Sequence, residues 1–231
     1  MRYLFIFLLW INLQAAFPSW YYKIKDIKRQ KKAFVEIMLP LIQTENSKIK
    51  NLRQKVISIF NSDYILDIKK LAFLAEVAKK YKIKDISDKE EFLKRIDIIP
   101  PSLALAQAAI ESGWGKSRFV KVANNIFGHW TYSNKGIKPK SKYEHIKIDY
   151  SIRIFPSLES SIGAYMLNLN RNGAYKVFRD LREKFRKEHK RFTGVDAAST
   201  LINYSQTKEK YVDLLKSMIK SNNWEKYDKD W

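Results

Sequence analysis

The chain has 231 residues, 45% of them hydrophobic and 14% aromatic, enough to bury a substantial core in one domain with a smaller helical region beside it. Lys and Arg outnumber Asp and Glu by 44 to 24, a net charge of +20, which points to an anionic partner: nucleic acid, a membrane surface, or an acidic polymer. Cysteine is absent, which excludes a disulfide framework, a thiolate nucleophile and a lipid anchor on an N-terminal cysteine, while the seven glycines, few for this length, favour a mainly helical protein.

Arg2 precedes the apolar run 3–13 and then Gln14-Ala15-Ala16, so residues 1–16 read as a secretory signal peptide, too short for an ordinary membrane-spanning helix. Uncleaved membrane attachment is the alternative. An N-terminal helical region is expected over 17–94. After the basic, aromatic stretch 20–32, Phe34, Ile37, Met38, Leu41, Ile42, Ile49, Leu52, Val56 and Ile59 follow helical spacing. Pro40 predicts a kink or restart there, with Thr44 or Asn46 as a cap for the second segment. A second stripe, Ile65, Ile68, Leu71, Leu74, Ala75, Ala78 and Tyr81, predicts another helix ending before a polar turn at 85–88.

The chemistry concentrates in 98–130, IIPPSLALAQAAIESGWGKSRFVKVANNIFGHW. Pro100 and Pro101 suit a helix start, and the segment then runs unbroken until Gly113. Ala104, Gln107, Ala108 and Glu111 share one face, so the Glu111 carboxylate ends a stripe of small residues where other backbone or a ligand can come close. The negative end of the helix dipole and the neighbouring Trp114 both act to raise its pKa, as a general acid requires. Asn124-Asn125-Ile126-Phe127-Gly128-His129-Trp130 then supplies amides and aromatics, the mixture that binds sugars: rings stack on apolar faces, and planar amides meet hydroxyl and acetamido groups.

AQAAIESGWGKS followed by NNIFG resembles the signature of the bacterial glucosaminidase family (mannosyl-glycoprotein endo-beta-N-acetylglucosaminidase-like, glycoside hydrolase 73-type), which includes Bax-like proteins. FVEIMLPLIQTENSKIKNLR and the Asn168-Leu169-Asn170 and Ala174-Tyr175 pairs narrow the match to Bax-like members. The resemblance implies a lysozyme-like helical domain over 95–231 that cleaves the glycan strand of peptidoglycan. Glu111 would be the acid, with Gln107, Trp114, Asn125, Phe127, Gly128 and Trp130 binding substrate.

Downstream, a polar loop leads to 143–155, whose loose alternation predicts a half-buried hairpin and hence a small β-lobe in an otherwise helical, α+β protein. The resemblance makes Glu144 and Asp149 of that lobe the candidates for a second carboxylate, with solvated strand charges as the other reading. Pro156-Ser157 opens a helix with Leu158, Ser161, Ile162, Tyr165 and Leu169 inward, behind the cleft. Residues 175–192 predict a basic helix with Val177, Phe178, Leu181 and Phe185 inside and Lys176, Arg179, Arg182, Lys184, Arg186 and Lys187 outside, either solvated or holding an anionic polymer. Asn203-Tyr204-Ser205 matches the family segment whose tyrosine faces the acid, making Tyr204 a candidate catalytic residue. Tyr211, Leu214, Leu215, Met218 and Ile219 predict a last amphipathic helix, followed by a loose tail over 221–231.

No phosphate-binding loop, paired-histidine zinc motif or G-x-S-x-G elbow occurs, so no metal and no cofactor is expected. The expected protein is a secreted β-1,4-N-acetylglucosaminidase, periplasmic or wall-associated, acting on peptidoglycan strands, with possible contact with the anionic envelope surface and not with nucleic acid. A catalytically weak wall-binding or scaffold protein is the alternative.

Overall fold

A computed structural model describes residues 16–63, 65–133, 135–138, 150–202 and 209–229. The architecture is mainly helical with one small antiparallel sheet, as expected. The first helix, α1 (Ile27–Phe60), starts at Asp26, whose side chain accepts from the Arg29 amide, and runs 34 residues without interruption. That is about 50 Å of continuous rod. Of the expected kink or restart at Pro40, the restart does not occur, and the Pro40 carbonyl accepts from the Thr44 hydroxyl. Asn46 is not a cap either. It is buried, and its amide bonds both the carbonyl and the N–H of Ile99, fixing the approach to the next domain element.

Helix α2 (Ile68–Tyr81) is capped by Asp67 and buries Leu74, Val77, Ala78 and Tyr81, whereas the predicted stripe residues Ile65 and Ile68 lie exposed. Asp88 caps the short α3 (Lys89–Arg95). Helix α4 (Pro101–Ser112) has every residue from Pro101 to Ala109 buried, the pattern of a helix enclosed on all sides. Around it pack α1, α8 (Gly194–Ala198), α9 (Glu209–Ser221) and a 3-10 turn at Trp224–Tyr227. A Cβ on Gly194 would sit 2.1 Å from Ser102 Oγ, so glycine lets α8 backbone reach the start of α4. The remaining helices are α5 (Arg118–Ala123), α6 (Leu158–Arg171) and α7 (Lys176–Lys187). Strand β1 (Trp130–Thr131) pairs with β2 (Ser151–Ile152) in the register Trp130↔Ile152. Most of the hairpin predicted over 143–155 lies outside the described residues.

Two predictions are corrected in the last third of the chain. Arg179 and Arg182 of α7 are buried at 2% and 1% exposure, while Val177 faces solvent. The arginines turn inward and satisfy buried backbone carbonyls: Arg182 donates to Lys94, Asp97 and Ile98, and Arg179 to Leu169 and Asn172. Arg182 also meets the Asp97 carboxylate, which Arg186 holds at 2.7 Å and Arg53 at 3.8 Å. Burial pushes the Asp97 carboxyl upward, but the arginines together carry it below the ordinary carboxylate range. The tail, predicted loose, is ordered through Asp228: Trp224 is buried, and the Asp228 carboxylate accepts from Ser102 N, Ser102 Oγ and Gly194 N. Pro100 provides no side-chain cap for α4, so Asp228 does that work from 126 residues away.

Candidate active site

Helix α4 ends at the glycine that its sequence marks as the stop: Gly113 adopts φ +56°, and the Trp114 amide returns to the Ala109 carbonyl at 2.8 Å. Trp114 and Gly115 also take positive φ, +57° and +72°, so three successive residues are left-handed. For the tryptophan this costs on the order of 1 kcal/mol. The conformation is held from the N-terminal region. Tyr21 donates its hydroxyl to the Trp114 carbonyl at 2.6 Å, and the Phe17 ring occupies the space a Gly115 Cβ would need, 2.6 Å away. The Trp114 ring lies edge-on to Phe34 and Trp224 with Lys31 Nζ 4.8 Å above it. The half-buried ring is thus engaged with core and α1.

Two residues before Gly113, Glu111 is exposed, and its carboxylate accepts from the Tyr211 hydroxyl of α9 at 2.9 Å. The same hydroxyl accepts from Gln107 Nε2 at 3.0 Å, and Gln107 Oε1 accepts from the Tyr165 hydroxyl at 2.6 Å. Tyr165 in turn stacks on Phe127, centroids 3.9 Å apart and planes 6° from parallel. The predicted residues Glu111, Gln107 and Phe127 are thus joined into one relay by two tyrosines. By sequence Tyr165 is a helix residue behind the cleft, and Tyr211 one position of an amphipathic stripe. Nothing local distinguishes Tyr211 from a core tyrosine, because its partner lies 100 residues earlier.

Burial raises the Glu111 pKa, and the Tyr211 hydrogen bond, which favours the carboxylate, offsets only part of that. Although the side chain touches solvent, enough protein crowds the carboxyl for burial to prevail. Glu111 charge also reaches Tyr175, whose hydroxyl is raised first by burial and held by the Asn168 side chain.

Asn125 is buried, and its amide is committed to the backbone: it donates to the His129 and Arg153 carbonyls, each at 2.9 Å, and accepts from the His129 amide at 2.9 Å. It fixes the turn that presents Gly128 and Trp130 rather than offering a free amide. Gly128 is exposed at φ +67°, and Trp130, 54% exposed, stacks on Tyr150 at 4.4 Å. Burial, with Arg153 nearby, pushes His129 down to about 4, so it is neutral at pH 7. Tyr204, Glu144 and Asp149 lie outside the described residues. Among the described residues no group of three or more His, Asp or Glu could hold a metal ion, and no helix is long and apolar enough to cross a membrane.

The sequence model of a family described as mannosyl-glycoprotein endo-beta-N-acetylglucosaminidase matches residues 87–224. Protein bax of Escherichia coli (strain K12) is 32% identical over 198 residues, 84% of this chain and 70% of that protein. Among solved structures, the catalytic domain of the autolysin Auto from Listeria monocytogenes is 24% identical with a TM-score of 0.45, covering 76% of this chain and 86% of that one.

Proposed function

The chain belongs to the glucosaminidase family, and on that premise we propose that it is a peptidoglycan hydrolase, cutting the β-1,4 bond after N-acetylglucosamine with Glu111 as general acid. The observation that carries the reading is the relay Tyr165–Gln107–Tyr211–Glu111, which fixes one exposed carboxyl, its pKa raised, at the end of a buried helix. In hydrolysis Glu111 gives its proton to the glycosidic oxygen as the C–O bond breaks, and water supplies the new hydroxyl at the anomeric carbon. A carboxylate of the β-lobe, Glu144 or Asp149, or the acetamido group of the substrate itself, takes the opposing role of base or nucleophile. Tyr204 is proposed to face the acid across the cleft. Trp130, exposed on its strand, is suited to stack on a sugar face, and the charge of +20 suits a polymer whose peptide branches carry carboxylates. The lysozyme-like domain would span 95–231, with 17–94 as an N-terminal helical region. Residues 1–16 would direct export to the periplasm or wall.

The test is Glu111→Gln, which keeps the shape and loses the proton. Release of new reducing ends from purified sacculi should fall about 100-fold or more while glycan binding survives. Clearance at a near-native rate would overturn the assignment.

A further inference from the structure

One cavity, of about 660 Å³, does not contain Glu111. It lies where the N-terminal helices meet the family-matched part of the chain. Lys48, Lys80 and Tyr81 come from α1 and α2, and Trp130, Arg153, Asn168 and Arg171 from β1, β2's outgoing end and α6. Half of its positive charge therefore comes from residues before position 87, where the family match begins. Four cations and one carboxylate, Glu45, line it. Lys48 is neutralised, bonded to Glu45 at 2.6 Å and Glu159 at 2.5 Å. Lys80, Arg153 and Arg171 make no ion pair among the described residues: Arg171 donates to the Lys80 carbonyl, and Arg153 lies over Phe155. His129, also in the lining, is neutral at pH 7 and does not add to the charge. Because Lys48 meets two carboxylates, the four cations and these two acids leave a net +2 among the described residues, and Lys80, Arg153 and Arg171 repel each other at a cost that an anionic guest would remove.

One feature connects this cavity to the acid, and another equips it for a glycan. Asn168, in its wall, holds Tyr175, which feels the Glu111 charge. Trp130, with its ring exposed at the lip, gives a sugar face a place to stack beside the cations. A polymer crossing the cleft with its backbone at Glu111 would bring side branches here. We infer that this cavity, built jointly by the N-terminal helices and α6, binds the carboxylates of the peptide branches on the glycan strand. The inference rests on the wall-glycan reading above, and it gives the N-terminal helices a part in recognising peptide-bearing strands.

The experiment uses the full chain and a soluble disaccharide-peptide fragment, in one form with free carboxylates and in another with those carboxylates amidated. Calorimetry should find the free form bound about tenfold more tightly, the order expected of a few solvent-exposed charge pairs, with the advantage shrinking as salt rises. Lys80→Gln/Arg153→Gln should abolish the preference without lowering Tm, and Arg153→Lys should retain it. Equal binding of the two forms, a preference that survives the double variant, or equal displacement by inorganic phosphate would overturn the inference. Uncleaved sacculi together with intact carboxylate preference would remove the hydrolase reading and leave the cavity's role standing. Cleavage without any preference would do the reverse.

Discussion

Replacing Tyr211 by Phe removes one oxygen from the relay and nothing else of its shape. Two consequences follow from the geometry. Gln107 is fully buried, with Oε1 engaged by Tyr165 and Nε2 donating to Tyr211, so the variant strands a buried donor. Such a loss costs about 1–3 kcal/mol, equivalent for a chain of this size to a Tm lower by about 2–12 °C. The second consequence concerns Glu111. The Tyr211 hydroxyl favours its charged form, so without that bond the already raised pKa rises further. A general acid works protonated, so the alkaline limb of the pH–rate profile should move to higher pH. Thermal unfolding and the pH dependence of kcat/KM on sacculi measure the two effects separately. An unchanged Tm with a limb that stays in place, or moves to lower pH, would refute the reasoning.

Three further outcomes are expected. Asp97→Asn leaves Arg182, Arg186 and Arg53 without their shared carboxylate and should destabilise by about 3–5 kcal/mol in denaturant unfolding; a loss under about 1 kcal/mol would mean the arginines are satisfied by carbonyls alone. Gly115→Ala combines positive φ with a Cβ 2.6 Å from the Phe17 ring and should cost about 2 kcal/mol or more, read as a lower Tm, with unchanged Tm showing that Phe17 yields freely. His129 sits at about 4 in the fold against an ordinary 6.5, so the unfolded chain takes up the proton first. Stability is complete above pH 6.5 and falls by at most about 3 kcal/mol as pH drops to 4, and an NMR titration finding the ring at 6.5 would remove the effect.

The helix carrying Glu111 and its stop are legible in the sequence because both are local: prolines at one end, glycine at the other, and no breaker between. Pro40 does not restart the helix because its penalty is also local, whereas buried contacts on both sides of it, Phe34, Met38 and Ile42, keep α1 continuous. The inward turn of Arg179 and Arg182 cannot be read from a stripe. A charged residue at an apolar position is buried only when distant carbonyls need it, and spacing along α7 carries no record of Lys94 or Asp97. The contact of the Trp114 ring with Phe34 of α1 is not legible either, because it depends on a left-handed backbone at a residue that rarely adopts one. Family resemblance singles out Glu111, but Tyr211, which touches it, belongs to a segment that reads only as amphipathic.

Asp228 closes the start of α4, and Tyr211 closes its end. Both are synthesised long after Pro101–Ser112 has left the ribosome, and contacts over 126 and 100 residues form more slowly than the helix turns they complete. The helix is thus early as a segment and late as a site. A growing chain displays the Glu111 carboxyl without the hydroxyl that orients it, and the first turn of its helix without an acceptor. The order of assembly therefore leaves Glu111 without its hydroxyl partner until α9 has been made.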